Sequence, residues 1–160
     1  MCVVIDTNCL SRVFCADNSD HLEFLPIKNW IECEEGRIVY GGSKYREELL
    51  RAPSYLNLLV QYGKARKTVL IKDNVVDKYE KEVSEKLGKE TKCDDQHIIA
   101  LLIASKCPLL CSVDERSFEF VKNPSLYPKK FRRPKIYSSS RNSDLLKKTG
   151  VNLKDIKNKT

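Results

Sequence analysis

Nothing in this chain of 160 residues is apolar for long enough to span a bilayer, which takes about 20 consecutive apolar residues, and no charged-then-apolar opening marks a secretory leader. A soluble, cytoplasmic protein with no membrane partner is therefore expected. No two cysteines have C-x-x-C spacing. The seven (Cys2, Cys9, Cys15, Cys33, Cys93, Cys107 and Cys111) are odd in number and irregularly placed, which argues against a zinc site or a redox motif. Reduced, mostly buried thiols fit that pattern and a reducing cytosol. Gly41-Gly42 lacks the longer signature of a phosphate-cradling loop, and no Ser/His/Asp arrangement suggests a nucleophile. No internal repeat is visible.

What remains is globular in balance, with 32% charged and 41% hydrophobic residues, and the length suits one domain with a real core. We read a domain over residues 1–149 and a basic tail over 150–160. The net charge of +7 is unevenly spread. Residues 129–160 hold eleven Lys/Arg against two Asp/Glu, a local +9, so the rest of the chain carries −2. A localised basic region on a slightly acidic body points to a polyanionic partner, or to a solvated surface.

The chain is organised around Cys2-Val3-Val4-Ile5-Asp6-Thr7-Asn8. An uninterrupted apolar run ending in an acid reads as a strand buried on both faces that delivers a carboxylate to the sheet edge, where open α/β folds keep their sites. Further strands are expected over 37–40, 68–71, 109–112 and 135–137. Helices are expected over 8–14, 19–33 with Pro26 as a break, 44–52 capped by Ser43, 53–62 stopped by Gly63, 73–87 capped by Asp73, 96–105 capped by Asp94, 115–121 and 142–148. Strands alternating with helices call for an α/β fold, a parallel sheet covered on both faces.

Helical phase selects the acids that join Asp6. Tyr45, Leu49 and Ala52 set the apolar direction of the helix over 44–52; at roughly 100° per residue Glu48 lies beside that face and Glu47 points away. Asp95 shares a stripe with Ile98, Ile99 and Leu102, and Asp114 directly follows a buried strand, as Asp6 does. Carboxylates gathered in one cleft repel unless a cation neutralises them, and all-oxygen ligation selects Mg²⁺ or Mn²⁺. The alternative is that these acids are only helix caps.

Val3-Val4-Ile5-Asp6-Thr7-Asn8, the Glu48-Leu49 helix, Asp94-Asp95-Gln96-His97-Ile98-Ile99-Ala100-Leu101 and Leu110-Cys111-Ser112-Val113-Asp114 together resemble the PIN domain, a metal-dependent nuclease fold, over nearly the whole chain to about Leu146. The resemblance implies a three-layer α/β/α sandwich with strand order 3-2-1-4-5 and Asp6, Glu48, Asp95 and Asp114 as the acidic quartet, supported by Asn8. Where the family often carries a further acid, two residues past Asp114, this chain has Arg116. The expected activity is metal-dependent endonucleolytic hydrolysis of single-stranded or loop RNA. Asp6, Asp95 and Asp114 would hold Mg²⁺ or Mn²⁺. Glu48 would be a further ligand, directly or through water, or would take the water's proton, and Thr7, Asn8 and Ser112 would position acids and waters. A toxin or phage-defence effector is a further expectation, with an inhibitor (antitoxin) protein and a second copy of the chain as partners beside RNA. The competing class is a nucleic-acid-binding module that keeps the fold without turnover.

Lys129, Lys130, Arg132, Arg133 and Lys135 precede the fifth strand and are the expected RNA-binding residues, or else a solubilising surface or a dock for an acidic inhibitor. His97, two residues past Asp95, falls on another helical face and reads as a structural or surface histidine. Trp30 and Phe14 read as core, and the charged helix over 73–87 as a solvated face with i,i+4 pairs.

Overall fold

The computed structural model describes residues 1–146. Five parallel strands, β1 (Cys2–Ile5), β2 (Arg37–Gly41), β3 (Thr68–Ile71), β4 (Leu109–Cys111) and β5 (Lys135–Tyr137), form one sheet in the order β3-β2-β1-β4-β5. The most apolar strand takes the centre: Val3, Val4 and Ile5 are wholly buried, and β1 pairs Val4 with Val39 on one side and with Leu110 on the other. Helices flank the sheet in three layers, as expected from the alternating pattern: α1 (Leu10–Phe14), α2 (His21–Cys33), α3 (Ser43–Leu50), α4 (Pro53–Lys64), α5 (Asp73–Leu87), α6 (Gln96–Ser105) and α7 (Glu115–Val121). α6 lies against β1, β2 and β3 with α5 packed on it, and α1 packs on α2. Among the described residues no helix is long and apolar enough to cross a membrane. All seven cysteines are free, four of them buried.

Several expectations are corrected. Pro26 does not break α2; it sits just beyond the first turn, and the buried stripe of Phe24, Ile27, Trp30 and Ile31 holds the helix across the one missing amide. Gly63 lies inside α4 rather than stopping it. The last segment is a 3₁₀ stretch over Ser140–Leu146, and Lys147 and Lys148 of the expected helix lie outside the described residues, as does the tail over 150–160. Trp30 is core, whereas Phe14 is half-buried with its ring centroid 5.5 Å from that of Tyr62. In α5 only Val76 and Val83 are buried, the solvated helix its charges suggest.

The turn from β2 into α3 needs its two glycines. Gly41 has φ +145° and Gly42 φ +92°, and a Cβ on Gly41 would sit 2.2 Å from the Ile71 carbonyl oxygen. Ser43 does not cap α3. Asp77 of α5 does, accepting from the Ser43 backbone N–H at 2.9 Å and from its hydroxyl at 2.5 Å, while Asp73 accepts from Gly42 N–H at 3.1 Å instead of capping its own helix. A helix from the next crossover thus fixes where α3 starts.

Candidate functional site

Each acid reaches the C-terminal end of the sheet by its own route. Asp6 leaves β1 at the sheet edge, its N–H still donating to the Cys111 carbonyl at 2.9 Å. One Asp6 oxygen accepts from Asn8 N–H at 3.3 Å and the other from the Ser112 hydroxyl at 3.2 Å. The Ser112 oxygen also accepts from the Asp114 N–H at 3.2 Å, so one serine links the acids that follow β1 and β4. Asp114 caps α7, and its Oδ1 accepts from Arg116 through N–H at 3.2 Å and Nε at 3.3 Å. Where the resemblance would place a fifth carboxylate, Arg116 instead pairs with the fourth.

Asp95, not Asp94, occupies the N-cap position of α6, yet its side chain makes no capping hydrogen bond. It is half-buried, within range of the Asp6 and Asp114 charges and beside the Ser117 hydroxyl. Asp94 is exposed and uses its carbonyl to accept from Lys44 Nζ at 3.3 Å. Glu48 faces inward from α3, where its Oε2 accepts from the Thr7 hydroxyl and its Oε1 lies 3.1 Å from His97 Nε2. Glu47 points outward and pairs with Arg51 at 3.1 Å. Tyr45, also on α3, donates its hydroxyl to the Ile5 carbonyl at 2.5 Å and so pins that helix to β1 beside Asp6.

Burial, with a smaller share from neighbouring carboxylates, sets the titration of these acids. Burial raises the Asp6 carboxyl, partly offset by its bonds to Asn8 and Ser112, with Glu48 adding to the rise. Asp95 is pushed up to about 6, first by burial and then by the Asp6 charge. Burial would lift Glu48 as well, but contacts from His97 and Thr7 outweigh it and hold this carboxyl below its usual range. Among the described residues no three of Asp, Glu, His and Cys converge closely enough to cage an ion. Mg²⁺ rarely asks for that: it keeps several waters and is commonly held by one or two carboxylates plus a substrate phosphate. Asp6, Asp95 and Asp114 offer oxygen donors alone, the ligand type that suits a hydrated Mg²⁺ or Mn²⁺.

The sequence reading missed several neighbours. His97 is only 3% exposed, and although it stands at ion-pair distance from Glu48, neither ring nitrogen has an aligned hydrogen-bond partner. The signal was available: from Ile98 to Ala104 no polar residue interrupts α6, and a helix apolar all round leaves His97 no solvent face. Ser117, buried and donating to the Asp114 carbonyl at 2.7 Å, gave no such signal. The cleft holding Asp6, Glu48 and Asp95 is also lined by Thr7, Asn8, Arg51 and Tyr55. Thr7 reaches Glu48 and Ser112 reaches Asp6, whereas Asn8 contacts Asp6 only through its backbone.

The five basic residues lead into the edge strand, whose start is the end away from the acids. Lys135 opens β5 in register with Leu109 at the start of β4, whereas the acids follow strand ends. Lys129, Lys130, Arg132 and Arg133 precede it, and Arg133 is turned onto the Lys122 carbonyl at 2.8 Å. The cations near the acids are others: Arg51, Arg116 and Lys44. Comparison of the chain with family models, with curated proteins and with solved structures returned no match.

Proposed function

We propose that this protein is a metal-dependent endoribonuclease that hydrolyses phosphodiester bonds. The observation that carries the reading is the gathering of Asp6, Glu48, Asp95 and Asp114 from four separate elements at one end of a parallel sheet, two of them with raised pKa. Structural caps do not require such crowding, and a cationic ligand relieves it. Asp6, Asp95 and Asp114 are the residues that would hold Mg²⁺ or Mn²⁺. When bound, such an ion lowers the pKa of a coordinated water and neutralises charge on the phosphate.

The chain's own groups supply the rest. Ser112 fixes Asp6 and the Asp114 backbone together, and Thr7 with His97 holds Glu48 ionised. A carboxylate kept below its usual range is a poor store for a proton, so Glu48 suits ligation or water orientation better than general-base work. Arg116 and Arg51 offset the repulsion between acids and incoming phosphate.

The lack of a three-ligand cage among the described residues favours a second reading, a PIN-like nucleic-acid-binding module without turnover. One experiment separates them: incubation of the purified chain with a labelled RNA panel in Mg²⁺, Mn²⁺, Ca²⁺ or EDTA, beside Asp95→Asn. The nuclease reading expects cleavage in Mg²⁺ or Mn²⁺, little in Ca²⁺, none in EDTA and a loss of at least about a hundredfold in Asp95→Asn. Binding without cleavage in every condition selects the module.

A further inference from the structure

Cavities open on both sides of the carboxylates. The cleft on the β2 side, about 350 Å³, adds Arg51 and Tyr55 to Asp6, Glu48 and Asp95. A second cavity of about 650 Å³, on the α7 side, is lined by Lys92, Asp94, Glu115, Arg116, Glu119 and Phe120. The second holds none of the quartet in its lining but is tied to it twice: its Asp94 is the chain neighbour of Asp95 in the first, and its Arg116 pairs with Asp114. Each cavity is thus lined by one aromatic ring, packed on one side against the core and partly exposed, and by one guanidinium.

Charge alone does not explain this pairing. The second cavity has three acids against two cations, so it is no phosphate trap, and its distinctive group is the Phe120 ring. Both guanidiniums are open to solvent, Arg51 at 74% and Arg116 at 87% side-chain exposure, and the exposed pair of Arg51 with Glu47 is exchanged for phosphate at little cost. A ligand that takes both a π face and an anionic contact, twice, on either side of a carboxylate cluster, is a polynucleotide with its bases unstacked.

We propose that Tyr55 and Phe120 are base-stacking platforms flanking the carboxylates. A single strand then crosses the site with one base on each ring, and its backbone passes Arg51 and Arg116 over the acids. The inference rests on the nuclease reading and adds the residues that position the substrate. Duplex is excluded from this mode because its base faces are already covered.

The test is fluorescence anisotropy in Ca²⁺ with short single-stranded RNA, matched DNA and a duplex, using the full chain. Leucine keeps the packing volume and removes the π face. At a temperature where each variant is fully folded, Tyr55→Leu and Phe120→Leu should each weaken single-strand binding about tenfold with the salt slope unchanged, while Tyr55→Phe and Phe120→Tyr bind like wild type. A 2-aminopurine base in the strand should be quenched on binding wild type and stay bright on binding the leucine variants, and duplex should bind at least about tenfold more weakly than either single strand. If wild type binds and cleaves RNA but the leucine variants bind equally well, or duplex is preferred, the stacking platforms are overturned and the nuclease reading survives. If wild type binds no polynucleotide, both fall.

Discussion

Asp95 and Glu48 are displaced from their ordinary titration range in opposite directions, and their contributions to stability therefore have opposite signs. Asp95, raised to about 6, keeps a proton in the folded state that the unfolded chain has released between roughly pH 4 and 6. Its favourable contribution is fully present below the unfolded pKa and is lost as pH rises through 6. Asp6, also raised, adds in the same sense. Glu48, held low after contacts outweigh its burial, contributes stability above its unfolded pKa that is lost as pH falls. Chemical denaturation in EDTA should show Asp95→Asn more stable than wild type above pH 6, with the gap closing toward pH 4, and Glu48→Gln less stable than wild type at neutral pH. Glu47→Gln should track wild type in both stability and activity. With Mg²⁺ present, cleavage should fall as pH drops through 6, because protons then compete with the ion for the same oxygens. At this scale the inward direction of Glu48 was legible, since phase along one helix is a local property. His97 was not legible from phase against Asp95 alone, because its contact is with Glu48, brought from another crossover.

At the scale of elements, α3 is the helix that matters most and the one least able to place itself. It enters from a turn with two glycines at positive φ, its first amide is satisfied by Asp77 of α5, and Arg46 on its first turns reaches Asp73 at 2.6 Å. Asp77→Ala removes the cap and should cost about 1–2 kcal/mol in urea denaturation. Tyr45→Phe removes the buried bond to the Ile5 carbonyl and should cost about 1 kcal/mol. Both changes should reduce cleavage beyond what the stability loss explains, because Glu48 rides on the same helix; unchanged turnover at a temperature where each variant is fully folded would show that α3 needs no such fastening. The strands and the spans of α5, α6 and α7 were readable because apolar runs, periodicity and punctuation sit within each element, whereas the sheet order, a relation between elements, came only from the resemblance to the PIN domain. The α3 and α5 caps were not, because Ser43 and Asp73 look like local caps in sequence and are reassigned only when α5 packs against α3. Pro26 and Gly63 fail as stop signals for a related reason: packing along a buried stripe outweighs one local defect.

At the scale of the whole molecule, the nuclease reading asks how a basic chain would bring a polyanion to an acidic site. Its clustered cations Lys129, Lys130, Arg132 and Arg133 lead into Lys135, which opens the edge strand, while the carboxylates follow strand ends, so Lys135 stands at the opposite end of the strands from them. Among the described residues, a short strand lying over the acids meets Arg51, Arg116, Lys44 and Lys92; a long one can extend down the edge of β5 to the basic group. Salt dependence reads the difference, since removing one cation from a phosphate flattens the plot of log K against log salt by about 0.7 for a single strand. With an oligonucleotide only long enough to cover the cleft, Arg51→Ala and Arg116→Ala should each lower the slope by about that amount, and the triple change Lys130→Ala, Arg132→Ala, Arg133→Ala should leave it unchanged. With a strand several times longer the triple variant should flatten by up to about two units of slope, broadly across sequences, while turnover at saturating RNA changes little. Equal flattening with both lengths would place the basic loop at the cleft itself, and no flattening with either would remove it from the path of the RNA.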